Sequence, residues 1–177
     1  MKLNLGCRNR PIAGFTGMDC DAHEGVDIVG DIADLSQFAS ESIEEIYASH
    51  CLEHFPHTQT LAVLSEWCRA LNKGGKLYVA VPDFEAVMAV YRVNGLNEWV
   101  RNYLWGDQKY KTAFHYTGFT ESVLVGLLMS AGFSVVDRCD RFAMTTTPDC
   151  SDLAIRCKTN TGKEKIMPVS LNMIGTK

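Results

Sequence analysis

No apolar run in this chain approaches the ~20 residues that a membrane-spanning helix requires. The first residues, Met1-Lys2-Leu3-Asn4-Leu5-Gly6-Cys7-Arg8, lack the apolar centre of a secretory signal. Positive charge is not in surplus: 17 Lys and Arg stand against 21 Asp and Glu, a formal net charge of −4. Such a balance is poorly suited to neutralising phosphate backbones, which argues against a general nucleic-acid binder. Seven cysteines are present, but no two are spaced C-x-x-C, so neither a zinc ribbon nor a thioredoxin motif is available. An odd number of scattered cysteines also argues against a disulfide framework. Together these absences lead to the expectation of a soluble, cytoplasmic protein with reduced thiols and neither a membrane nor a nucleic-acid partner.

What is present is an ordinary globular composition, 46% hydrophobic and 21% charged over 177 residues, enough to bury about 70% of the unfolded surface in one core. One domain over 1–158 is expected, followed by a polar C-terminal tail over 159–177, in a monomer or a homodimer. The charge is unevenly placed. Residues 1–90 carry 6 basic and 13 acidic side chains, and residues 91–177 carry 11 and 8.

Short strand-like runs come first: Leu3 to Leu5, Phe15 to Asp19, Val26 to Val29 and Ile43 to Ala48, each closed by Gly, Asp or Ser. From Thr58 the period changes, with Leu61, Leu64, Cys68 and Leu71 at helical spacing before Gly74-Gly75. A β-rich run, Lys76 to Val81, ends at Pro82, and two helical stretches follow at about 84–93 and 97–105. Thr120 to Ala131 has the strongest helix signals: a capping Thr120, a Phe119–Leu124 staple and Gly132 at the C-cap. Alternating runs at Phe133 to Cys139 and Leu153 to Lys158 close the pattern. The implied fold is α/β: a mostly parallel, Rossmann-like sheet with helices on both faces and an antiparallel edge strand. Too few residues separate the first two strands for a full helical crossover, so the first crossover helix is reduced or absent.

Chemistry gathers at the C-terminal ends of the early strands, where open α/β sheets bind ligands. There stand Gly6-Cys7-Arg8, Asp19-Cys20-Asp21, Gly30-Asp31, Ser49-His50 and Pro82-Asp83. Glycine permits close backbone approach, and a carboxylate after the second strand can accept both hydroxyls of a ribose. A second carboxylate after the third strand suits an adenine amino group. The acids Asp19, Asp21, Glu24, Asp27, Asp31 and Asp34 crowd one short stretch, as a cationic ligand would require.

Several stretches resemble the class I S-adenosylmethionine-dependent methyltransferases, particularly their small bacterial and phage-like members. They are Leu3 to Cys7, Gly14 to Asp19, Val26 to Asp31, Ile46 to Phe55, Leu71 to Leu77, His115 to Thr120 and Ala131 to Phe133. The resemblance covers most of 2–140. It departs from the usual Gly-Cys-Gly turn at Arg8. It implies S-adenosylmethionine as cofactor, with Gly6 under the methionine part, Asp19 at the ribose hydroxyls, Asp31 at the adenine edge, Ser49 and His50 at the methyl-donor end, and Leu5, Cys7, Cys20 and Ile32 as further cofactor-binding residues. With no broad basic patch, a small-molecule acceptor is expected; His50, His54 and His115 are the candidate general bases, and His115 is preferred because it lies on the segment after the fifth strand where the resembled family builds its acceptor lid.

Two other readings compete. A non-catalytic relative would keep the fold and act as a binding partner. His50-Cys51-Leu52-Glu53-His54 also matches H-x-x-E-H, which on a helix would hold zinc through His50 and His54 with Glu53 as base. Pro56 leaves little room for that helix.

Overall fold

The computed structural model describes residues 1–140, 142, 154–158 and 164–177. Four short strands open the chain: β1 (Lys2–Leu5), β2 (Thr16–Asp19), β3 (Ile28–Val29) and β4 (Ile43–Ser49). A single 3₁₀ turn at Leu52–His54 leads to α1 (Thr60–Ala70), β5 (Leu71–Pro82), α2 (Phe84–Asn94), α3 (Glu98–Trp105) and α4 (Glu121–Ala131). Then come β6 (Val135–Cys139), β7 (Ala154–Lys158), β8 (Glu164–Pro168) and β9 (Ser170–Thr176). Seven strands form one sheet in the order β3-β2-β1-β4-β5-β9-β6. Strands β1 to β5 pair in parallel, and β9 runs antiparallel to both β5 and the edge strand β6.

The helix signals act as expected. Asn97 caps α3 by accepting Val100 N–H, and Thr120 caps α4 by accepting Val123 N–H. Gly132 ends α4 at φ 107°, a left-handed C-cap that favours glycine. Apolar faces of α1 (Val63, Leu64, Trp67) and α4 (Leu124, Leu128) bury against Leu3, Leu5, Ile46, Leu77, Val79 and Leu171 on one face of the sheet. The Trp67 indole, fully buried, donates to Ile32 O at 2.7 Å and so ties α1 to the end of β3.

The opposite face of the sheet carries a smaller apolar cluster. Among the described residues, Tyr47, Tyr78, Ala80 and Ile174 there meet Ile12, Phe15 and Phe142. Neither 6–15 nor 20–27 contains a helix, so loop backbone lies directly on the sheet in place of crossover helices. Gly17 shows how close that approach is. A Cβ on it would come within 2.7 Å of Gly25 O and 2.9 Å of Cys7 Sγ. We expect Gly17→Ala to destabilise the fold by about 1–3 kcal/mol, the usual cost of overpacking. The midpoint of urea unfolding measures it, and an unchanged midpoint would mean that the loops yield freely.

Two C-terminal expectations are corrected. Residues 159–177 are not simply a polar tail, because Ser170–Thr176 forms β9 between two other strands, with Leu171 fully buried and Met173 nearly so. The run at 153–158 is not a strand of the main sheet; Ala154–Lys158 pairs with β8 in a separate hairpin. Alternation marks a strand, but it does not specify the strand's partner.

Candidate active site

The order β3-β2-β1-β4 brings the ends of four strands side by side, with the direction of winding reversing beside β1. Gly6 ends β1 at φ 66°, and its N–H bonds Met18 O at 2.8 Å, turning the chain over the neighbouring strand. Arg8 follows at φ 43°, a conformation that costs any residue with a Cβ. Its N–H donates to Asp19 Oδ2 at 2.8 Å, while its guanidinium leaves the turn, lies 4.7 Å from the centre of the Tyr110 ring and hydrogen-bonds the phenol oxygen. The departure from Gly-Cys-Gly thus spans from the turn to the 106–118 segment.

Asp19 is buried at the end of β2, and its Oδ1 accepts Asp21 N–H at 3.1 Å. Two backbone donors hold this carboxylate in place and leave further lone pairs for a ligand's hydroxyls. Asp31, exposed after β3, accepts Ala33 N–H through Oδ1 at 2.9 Å. Asp27 accepts Gly17 N–H at 2.7 Å. None of Asp19, Asp21, Asp27 and Asp31 is in an ion pair among the described residues, so this edge of the sheet keeps its negative charge. Cys7 and Cys20 carry thiols pushed up to about 11, in each case by burial first and by the charge of Asp19 second. They are protonated at neutral pH and unsuited to nucleophilic work.

Beyond the end of β5 lies a cleft of about 370 Å³, within the range of small-molecule sites. Pro82, Met88, Tyr103, Trp105, His115 and Tyr116 are among the residues that line it. Asp83 caps α2 by accepting Glu85 and Ala86 N–H, and α2 and α3 pack on each other around Val87, Val90 and Val100. The segment after α3 closes back on the 3₁₀ turn, where Tyr116 N–H donates to Glu53 O at 2.8 Å and Thr117 Oγ1–H to Phe55 O at 2.7 Å.

A second cluster sits beside this cleft. Glu53 is fully buried, and its Oε1 accepts His50 Nδ1–H at 3.1 Å. Burial pushes its carboxyl up, but the His50 hydrogen bond and the fields of His50, His54 and His115 outweigh it and hold it below the usual range. His54 and His115 meet edge to face, ring centres 4.9 Å apart. His54 Nδ1 bonds Phe114 O and His115 Nδ1 bonds Tyr103 O, both at 2.9 Å. Desolvation holds the His115 imidazole below its ordinary value, against the opposing charge of Glu53.

Most of the residues singled out from the sequence fall along one edge. Gly6, Asp19, Asp31, Ser49 and His50 stand at adjacent strand ends, whereas Leu5, Cys7 and Ile32 are buried beneath them. His115 lies on the cleft wall. The H-x-x-E-H expectation is corrected: Leu52–His54 is one 3₁₀ turn, so His50 and His54 do not share a helical face. His50 instead bonds Glu53 through Nδ1 and Ser170 Oγ through Nε2, the latter at 2.8 Å. Ser170 escaped sequence reasoning because it lay in a stretch read as tail. Tyr110 as a partner of Arg8 left no sequence signal, since only tertiary contact joins them.

Residues 16–79 match the model of a family described as "Methyltransferase domain". Sequence comparison with curated proteins finds no match. A SAM-dependent methyltransferase from Archaeoglobus fulgidus superposes with a TM-score of 0.63 at 13% identity, over 99% of this chain and 85% of that one. A possible histamine N-methyltransferase from Thermotoga maritima gives 0.61 at 18% identity, over 99% and 81%. A Burkholderia thailandensis 1,6-didemethyltoxoflavin-N1-methyltransferase, solved with bound 1,6-didemethyltoxoflavin and S-adenosylhomocysteine, gives 0.54 at 14%, over 99% and 70%.

Proposed function

We propose that the chain is a class I S-adenosylmethionine-dependent methyltransferase, a reading supported by the methyltransferase-domain match over residues 16–79 and by the shared fold, and that it methylates a small-molecule acceptor held in the cleft between Pro82 and His115. The observation that carries this reading is the adjacency of two sites: an unneutralised acidic edge at β1 to β4, and a closed-over cleft of small-molecule size beyond β5. The donor set fits the cofactor. Asp19 would hold the ribose hydroxyls, Asp31 and the backbone beside Ile32 the adenine edge, and the turn Leu5-Gly6-Cys7 the methionine part. Ser49 and His50 would border the methyl-donor end. The bound cofactor supplies an activated methyl on a sulfonium, and an acidic edge favours that cation.

Little chemistry then remains for the protein beyond proximity and activation of the acceptor. His115 is our choice for that activation. A carbonyl can only accept, so Tyr103 O requires the His115 proton on Nδ1 and leaves the lone pair on Nε2. His50 has both ring nitrogens engaged and is assigned to positioning. No helix among the described residues is long and apolar enough to cross a membrane, and the free thiols of Cys7, Cys20, Cys68 and Cys139 favour a reducing cytoplasm.

The test is calorimetric titration with S-adenosylhomocysteine, followed by a screen of hydroxyl, amine and carboxylate acceptors for release of the same product. Saturable binding and acceptor-dependent turnover are expected. His115→Ala should keep the binding and lose roughly 100-fold in turnover, the low end for acid–base groups because the methyl is already activated. Absence of S-adenosylhomocysteine binding would overturn the reading in favour of a non-catalytic relative.

A further inference from the structure

The structure assigns a divalent transition-metal site to Glu53, His54 and His115, beside the proposed acceptor cleft, which His115 lines. One ligand atom from each of the three lies within 4.8 Å of the others. Three independent features prepare these atoms for an ion. First, Glu53 Oε2 is fully buried and has no hydrogen-bond partner among the described residues, while Oε1 is occupied by His50. An ionised buried oxygen without a partner is expensive, and a cation is the partner that would satisfy it. Second, both imidazoles present the same tautomer. Phe114 O and Tyr103 O can only accept, so each Nδ1 carries a proton, and in the neutral ring Nε2 is the nitrogen left for an ion. Backbone carbonyls that orient metal-binding histidines in this way are the usual outer-shell device. Third, His50 braces the carboxylate through Nδ1 and is itself anchored on Ser170.

The donor set defines the class of ion. Two imidazoles and a carboxylate suit zinc, cobalt or iron(II), in contrast to the oxygen ligands preferred by magnesium and calcium. Three protein ligands also match a site that keeps a position open for a water or a substrate. His115 belongs to both the triad and the cleft wall, which places the triad next to the proposed acceptor. This part of the inference rests on the methyltransferase reading; binding of the ion does not. With an ion present, the acceptor-activating role of His115 passes to the ion, which favours a hydroxyl-bearing acceptor. The hydroxyl proton goes to water, the oxygen pair forms the new bond to methyl, and the S–C pair returns to sulfur. The site is distinct from H-x-x-E-H zinc binding, because His50 supports the carboxylate and is not a ligand.

The full chain, stripped with a chelator, is titrated with Co²⁺ while its visible d–d absorption is followed, and Zn²⁺ then competes. Saturation near one ion per chain is expected, together with a rise in thermal midpoint that the chelator reverses. His54→Gln and His115→Gln should weaken binding by more than about 100-fold, and His50→Ala by about 10–100-fold, the range for outer-shell partners. Glu53→Gln tests the third ligand, and the two histidine variants suffice should it not fold. His57→Gln, exposed and outside the triad, serves as control. No saturable binding of Co²⁺ or Zn²⁺, or binding that both histidine variants leave intact, overturns the site. S-adenosylhomocysteine calorimetry on the same metal-free sample reports separately on the methyltransferase reading.

Discussion

Deleting residues 170–177 is expected to abolish cooperative folding altogether. Strand β9 pairs with β5 from Lys76 to Pro82 on one side and with β6 from Val135 to Cys139 on the other. Its removal would strand β6 and expose backbone donors and acceptors on both neighbours, each costing about 1–3 kcal/mol when left buried and unpaired. Leu171 and Met173, buried against α4 and the strands, would add roughly 1.5–3 kcal/mol each. Asn172 Nδ2–H, which donates to Asp140 O at 2.8 Å, and the Ser170–His50 bond would go too. These losses exceed the ~5–15 kcal/mol that holds an ordinary domain together. Near-ultraviolet circular dichroism and urea unfolding measure the outcome: loss of fixed aromatic signals and a broad, non-cooperative transition. A truncated chain that unfolds as sharply as the full one would show that β9 is dispensable.

In the proposed cofactor pose, Asp19→Ala should cost about 3–6 kcal/mol of affinity, between roughly 150- and 20,000-fold in Kd for S-adenosylhomocysteine. Two hydroxyls donating to one carboxylate contribute about 1.5–3 kcal/mol each when the acceptor is charged. The same carboxylate fixes the Gly6-Cys7-Arg8 turn by accepting Arg8 N–H, so truncation also loosens the backbone expected under the methionine part. Asp19→Asn separates the two effects. It keeps an acceptor oxygen for Arg8 N–H but loses the charge, and an intermediate loss is expected. Calorimetry reads the affinities, with circular dichroism confirming that each variant is folded. An Asp19→Ala protein that binds with unchanged Kd would remove Asp19 from the cofactor site.

How much of this was legible beforehand depends on the range of the interaction. Gly6, Asp19 and Asp31 were readable because a glycine or carboxylate directly after a short apolar run occupies a strand's C-terminal end wherever that strand lies in a sheet. Helix α4 was readable from Thr120 and Gly132 for the same local reason. The stretch at 170–176 was not. Ser170-Leu171-Asn172-Met173-Ile174-Gly175-Thr176 is short and follows polar sequence, and its burial comes from two partners distant in the chain. Glu53, His54 and His115 posed the same difficulty. H-x-x-E-H drew attention to His50 and His54 as a pair, yet a single 3₁₀ turn separates them and His115 arrives from the segment after α3.

The sequence by itself therefore determined the α/β alternation, the missing first crossover helix and the acidic strand ends, because periodicity, chain length and punctuation act within a few residues. Tertiary structure alone decided three other things: the insertion of β9 between β5 and β6, the direction of Arg8 toward Tyr110, and the convergence of Glu53, His54 and His115. In each case the deciding energy comes from burying or pairing groups far apart in the chain, and no local pattern records which distant group will be there.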